Sequence, residues 1–243
     1  MISGLYISAS GLLAESARQD VIASNLANAD TTGFKRSETA TRPFSEFLLR
    51  NTWLPGAPAV GSMAMGVELS GASVINTQGS IRATGNTLDV ALQGDGFITV
   101  QDAAGRRYTR AGALQVDAQG RLVTEQGAVV QGQAGPITLG PGAVEIGRDG
   151  TVSQNGQVRG QIRIVALDPA SLQGQGDSLF TGTERGQATA QVRQGFLEGS
   201  TVQTVQEMVD LIRAMRAFEA NQRAVHAQDE TLEQAVTKVG AIG

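Results

Sequence analysis

Apolar positions recur at helical spacing at both ends of the chain and alternate over short runs between them. From Ile2 to Ala29, alternate steps of three and four fall on Ile2, Leu5, Ala9, Leu12, Ser16, Gln19, Ala23 and Leu26, six of them apolar and several small. That is the spacing of a coiled-coil seam, and its small residues favour close approach of a partner helix. Gly4 and Gly11 each cost such a helix about 1 kcal/mol relative to alanine, which leaves it marginal in isolation. The run stops at Asn28-Ala29-Asp30-Thr31-Thr32-Gly33, a cluster of turn formers. From Thr204 to Val239 the same steps fall on Met208, Leu211, Met215, Phe218, Gln222, Val225, Asp229, Leu232, Val236 and Val239, eight of the ten apolar. A period near 3.5 predicts a left-handed supercoil, in a helix about 50 Å long. Val205, Val209 and Ile212 add a second apolar flank, which implies more than one neighbour. Gln222 and Asp229 interrupt the seam, either as solvent-facing positions or as residues that fix register.

The middle of the chain has a different texture. Val67-Glu68-Leu69, Leu88-Asp89-Val90-Ala91-Leu92, Phe97-Ile98-Thr99-Val100 and Ile162-Arg163-Ile164-Val165 are short and strand-like, and turn signals recur between them. Asp102-Ala103-Ala104-Gly105, Asp117-Ala118-Gln119-Gly120 and Asp149-Gly150 read as hairpin turns. Asn155-Gly156 is the strongest, because a type I′ turn needs positive φ at both central residues. The fold class expected is α+β. Long N- and C-terminal helices form a coiled-coil domain, and short antiparallel strands form a central all-β domain of sandwich or barrel type. The divisions expected are 1–35 for the first helix and its turn, 36–65 for a linker with a short helical turn, 66–198 for the β domain and 199–243 for the last helix. Residues 51–65 carry two prolines and no periodicity, as a linker does.

Composition narrows the function. A net charge of −4 and a pI near 5.1 argue against nucleic acid as a partner, since phosphate binding needs a basic surface. The chain has no cysteine, which removes disulfides, thiol nucleophiles and cysteine metal sites together. No stretch reaches the length of a membrane span, and the first residues lack the charge and apolar core of a secretory signal. His226 is the sole histidine. It falls beside seam residue Val225, and no Gly-x-Ser-x-Gly nucleophile elbow accompanies it. Gly94-Asp95-Gly96 lacks the following helix and spacing of a phosphate loop and reads as a tight turn before a strand. Arg106, Arg107 and Arg110 form the densest basic group, read as a solvated face able to meet acidic residues of adjacent subunits. No catalytic residue, metal site, cofactor or small-molecule substrate is expected. A secreted binding module with helical oligomerisation ends is the rival reading; it would need an aromatic platform, and only 4% of residues are aromatic, with Trp53 in the linker.

Several segments, in order along nearly the whole chain, resemble the signatures of bacterial flagellar rod and hook proteins. Ser24-Asn25-Leu26-Ala27-Asn28-Ala29-Asp30-Thr31-Thr32-Gly33-Phe34-Lys35-Arg36 is similar to the N-terminal signature. Thr84 to Phe97, Tyr108-Thr109-Arg110-Ala111-Gly112 and Gly120-Arg121-Leu122-Val123 resemble the central one. Gln194-Gly195-Phe196-Leu197-Glu198-Gly199-Ser200, with Glu207-Met208-Val209 and Arg216-Ala217-Phe218-Glu219, resembles the C-terminal one. Thr201 stands where the family usually has Asn, and threonine also serves as a cap. Within the family the chain looks most like the proximal rod members, with the distal rod and hook-type members next. The resemblance implies a structural subunit of the basal-body rod, located in the basal body across the periplasmic region. It also implies export by the flagellar type III apparatus, helical assembly with other rod subunits and with itself, and torque transmission. Asn25, Asn28, Thr31, Gly33 and Phe34 would form the signature turn. Phe44 and Leu48, in Phe44-Ser45-Glu46-Phe47-Leu48, match the short element that engages the export gate; the same spacing suits a helical turn docking on a neighbour. Leu5, Ala9, Leu12, Ala23 and Leu26 would pack the first helix, and Met208, Leu211, Met215, Phe218, Val225 and Leu232 the last.

Overall fold

The computed structural model describes residues 2–43, 46–50, 59–64 and 66–240. Two long helices and many short antiparallel strands make an α+β protein. The chain divides into two compact units. One comprises residues 1–24, 38–72 and 205–243, the other residues 25–37 and 73–204.

In the first unit, helix α1 covers Ile2–Ala27 and helix α2 covers Thr204–Gly240, close to the bounds the periodicity predicts. At 37 residues α2 is about 55 Å long. The α1 backbone at Gly4 lies against the Gln228 amide, and at Gly11 against the Asn221 amide. Seven residues forward on α1 thus match seven residues back on α2, so the helices pair antiparallel. No helix among the described residues is long and apolar enough to cross a membrane.

Within 36–65 the described residues form strands where a short helical turn is expected. Ser37–Pro43 is a strand paired with Val67–Val74, and Glu46–Arg50 pairs antiparallel with Ala59–Ala64, Leu48 opposite Ser62. The apolar i, i+3, i+4 spacing from Phe44 to Leu48 imitates a helical turn. At Phe47 and Leu48, pairing with Met63 and Ser62 overrides it, as tertiary context often does with short runs. Phe44 and Trp53 lie outside the described residues.

The second unit is organised around the strand Phe97–Asp102. Along one edge it pairs with Gly105–Thr109. Its other edge is shared: Ile164–Leu167 takes Phe97 and Ile98, while Val129–Gly132 takes Val100 and Gln101. The sheet forks there, and two cores form. The larger gathers Ile98, Val100, Leu114, Leu122, Val130 and Val152 among others; the smaller gathers Phe97, Tyr108, Val165, Leu167, Leu172 and Phe180 with Val74. Neighbouring residues Phe97 and Ile98 enter different cores, as the pleat requires. The Thr151–Gln154 and Gln157–Gln161 hairpin turns at Asn155 (φ 51°) and Gly156 (φ 77°), both left-handed as a type I′ turn demands. Gly94-Asp95-Gly96 leads directly into the hub strand, as expected of a turn rather than a phosphate loop.

Candidate assembly surfaces and the signature junction

The turn after α1 is built from side chains that close on the backbone. Asn25 is buried; its amide donates to the Ser37 carbonyl (2.8 Å) while its Oδ1 accepts from the Ser37 N–H (3.0 Å). Asn28 N–H donates to the Asn25 carbonyl, Thr31 N–H to the Asn28 carbonyl and Phe34 N–H to the Thr31 carbonyl, at 3.1–3.3 Å. Thr31 Oγ1 donates to Asn28 Oδ1 at 3.1 Å. Gly33 has φ +67°, and a Cβ there would lie 2.3 Å from the Ala111 nitrogen. Only glycine meets both conditions.

Glu198 is the keystone of this junction. The strand Phe196–Glu198 pairs with Ile81–Ala83, and the Glu198 carbonyl accepts the Gly33 N–H at 2.8 Å. The Glu198 carboxylate, fully buried, takes Lys35 Nζ at 2.7 Å and the Gly79 N–H at 2.8 Å on Oε1, and an Arg110 η nitrogen at 3.0 Å on Oε2. Lys35 Nζ also donates to the Thr77 carbonyl. Arg110 donates to the Gly94 carbonyl at 2.7 Å and lies over the Phe97 ring, 5.2 Å from its centroid. Burial pulls the Lys35 ammonium below its usual pKa; Arg110 adds to this and Glu198 opposes it. Three charged groups, one from each signature segment, therefore meet in one dry cluster.

Two expectations change here. Arg110 is not part of a solvated basic face: it is buried inside the chain's own ion cluster. Arg106 does stand toward solvent, near Glu184 (3.7 Å), while Arg107 is half-buried beside Asp102 (3.6 Å). Thr201 lies three residues before α2, so it does not cap the helix. Its hydroxyl accepts the Arg36 N–H at 2.8 Å and its own N–H donates to the Phe34 carbonyl at 3.1 Å, fastening the signature turn. A second polar cluster holds Glu184, which accepts from Tyr108 Oη at 2.9 Å and from Arg163 at 2.8 Å. Burial works to raise its pKa, but those two partners prevail and hold it below the usual range.

The helical unit shows where the seam residues fall in the isolated chain. On α1, Leu5, Leu12 and Leu26 are half-buried, Ala14 and Ile22 are buried, and Ala9 and Ala23 are exposed. On α2, Leu211, Phe218, Val225 and Leu232 are half-buried, whereas Met208 and Met215 are 47% and 50% exposed. The face of lower exposure runs Glu207, Leu211, Ala214, Phe218, Asn221, Val225, Gln228, Leu232, one residue round from the expected seam at alternate positions. Gln222 and Asp229 are exposed, so neither takes the register-fixing role within this helix pair. His226 is exposed as well.

The exposed faces keep heptad spacing. Val205, Met208, Ile212 and Met215 line one stripe on the N-terminal part of α2; Tyr6 (71% exposed) and Leu13 (69%) line another on α1. Because the helices run antiparallel, these two apolar patches sit toward opposite ends of the pair. Two half-buried amides, Asn221 and Gln228, interrupt a mainly apolar inner face, while methionines, isoleucine and tyrosine stand exposed outside it. Exposed apolar stripes of this kind are the usual mark of an interaction surface.

Terminal helices gathered in one unit, a middle folded as β-sheet, and signature segments locked together by a buried ion cluster define a structural assembly subunit. The chain belongs to the flagellar basal-body rod protein family. Residues 5–35 match the family model for flagella basal body rod protein, residues 91–159 that of the flagellar hook protein FlgE/F/G D1 domain, and residues 193–238 that of the flagellar basal body rod FlgEFG protein C-terminal region. It is 35% identical over 259 residues to the flagellar basal-body rod protein FlgG of Agrobacterium fabrum, covering 93% of this chain and 95% of that one. It is also 35% identical over 250 residues to the flagellar basal-body rod protein FlgF of Caulobacter vibrioides, and 27% identical over 270 residues to the flagellar hook-basal body complex protein FlhO of Bacillus subtilis, in both cases covering 100% of each chain. This protein is thus a structural subunit of the rod, with its place in the flagellar basal body.

Proposed function

We propose that the chain is a non-catalytic axial subunit that stacks helically through its terminal helices, forming a coiled-coil tube that transmits torque. The observation that carries this reading is the pair of exposed apolar stripes, Tyr6 and Leu13 on α1 and Val205, Met208, Ile212 and Met215 on α2, outside the intrachain helix contact. Two different patches at opposite ends of one unit suit head-to-tail contacts, which propagate as an open helix rather than closing a ring. Leu5, Ala9, Leu12, Ala23, Leu26, Leu211, Phe218, Val225 and Leu232 supply the remaining helix packing. The partners are other rod subunits and further copies of the chain, in the proximal part of the rod. Export through the flagellar type III apparatus precedes assembly, with Phe44 and Leu48 engaging the gate. The test is Met215→Asp: a charge in the assembled seam should block incorporation and swimming while the β unit still folds. Normal swimming in that variant contradicts the reading.

A further inference from the structure

Gly4 and Gly11 are poor helix residues, yet both lie within α1, seven residues apart. Each faces an amide on α2, and those amides are also seven apart. A Cβ at Gly4 would stand 2.9 Å from Gln228 Nε2, and one at Gly11 would stand 2.9 Å from Asn221 Nδ2. The two contacts repeat one geometry in one register. Each glycine leaves a seat in which an amide lies flat on the opposing backbone.

We infer that the Gly4–Gln228 and Gly11–Asn221 pairs are the specificity determinants that fix the register of the α1–α2 pairing. A slip of one heptad in one direction sets Gly11 against Gln228 but turns Asn221 toward Arg18, which has no seat for it. The opposite slip sets Gly4 against Asn221 and leaves Gln228 beyond the start of α1. Only the observed register seats both amides. Leucine pairs would hold the helices in any heptad-related register; polar groups within a seam select one alignment at a cost in stability. The helix-breaking tendency of the two glycines is part of that cost.

This assigns register selection to Asn221 and Gln228 rather than to Gln222 and Asp229, which are exposed. Its consequence for the rod rests on the assembly reading above, but the register itself belongs to the single chain and is read there. A correct register would set how far apart the two outer apolar patches lie before any neighbour is met.

The absence of native cysteine makes disulfide trapping clean. Counting from Gly4–Gln228 and Gly11–Asn221, half-buried Ser8 falls opposite half-buried Ala224 in the observed register, and opposite Thr231 after a one-heptad slip. In the full-length monomer, Ser8→Cys/Ala224→Cys should oxidise at least about tenfold more completely than Ser8→Cys/Thr231→Cys. Adding Gly11→Asn should erase most of that preference, and adding Asn221→Gly to Gly11→Asn, which exchanges the partners, should restore it. Circular dichroism keeps the variants comparable by confirming that helix content is retained. An undiminished preference in Gly11→Asn, or no recovery in the exchanged pair while the helices persist, overturns the assignment. Failure of swimming alone would bear on the assembly reading and leave the register result standing.

Discussion

Replacing Glu198 by Gln keeps the side chain's shape and removes its charge. The carboxylate is fully buried and accepts from Lys35 at 2.7 Å, from Arg110 at 3.0 Å and from the Gly79 N–H at 2.8 Å. Without it, two buried cations share one dry site with no counter-charge. Asp95 is the nearest remaining acid, 4.0 Å from Arg110, but it is 61% exposed and its field is screened by water. Stripping one member from a buried ion cluster costs about 3–5 kcal/mol. Lys35→Met should cost less, about 1–3 kcal/mol, because Glu198 keeps Arg110 and Gly79 and only the Thr77 carbonyl and one carboxylate bond go unfilled. The depressed pKa of Lys35 points the same way: its ammonium is held there against burial. Urea denaturation followed by circular dichroism measures both, and the double variant completes the cycle. Lys35→Met added to Glu198→Gln should recover stability, since one of the stranded cations is gone. The reasoning fails if Glu198→Gln lies within about 1 kcal/mol of the parent, or if Lys35→Met costs more than Glu198→Gln.

Three further outcomes are expected. Gly33→Ala should destabilise the same transition by about 2 kcal/mol or more, because the new Cβ meets both a left-handed backbone and the Ala111 nitrogen. Thr201→Val should lose about 1 kcal/mol by removing the hydroxyl that accepts the Arg36 N–H, a loss that Thr201→Ser recovers in the same titration. Glu184 has a lowered folded pKa, so its contribution is present above the unfolded value of about 4.3 and fades as pH falls through the folded one; Glu184→Gln should flatten the acid limb of a melting-temperature profile.

Both helices were legible from periodicity alone, because long repeating patterns carry strong signals. The Asn155-Gly156 hairpin was legible from its turn chemistry and the Gly94-Asp95-Gly96 turn from its failure as a phosphate loop. The ion cluster was not. Lys35, Arg110 and Glu198 are far apart in the chain, and a lone charge in a sequence reads as a solvated one. The one signal available was that each sits inside a different signature segment. Nor was the rotation of the α2 seam legible. Val205, Met208, Val209, Leu211, Ile212 and Met215 cover so much of the helix that either flank can serve as the inner face, and small Ala214 with Asn221 and Gln228 gives α1 its seat. The strands between residues 37 and 64 were hidden by prolines and by a Phe-to-Leu spacing that mimics a helix.

Labelling of single cysteines in purified basal bodies tests the central claim most directly. Leu13→Cys, Met208→Cys and Met215→Cys, each in an otherwise cysteine-free chain, should react rapidly with a maleimide in the free monomer and resist it in the rod. Equal reactivity in both states, in cells that swim normally, would mean that these apolar stripes stay open to water and that some other surface builds the rod.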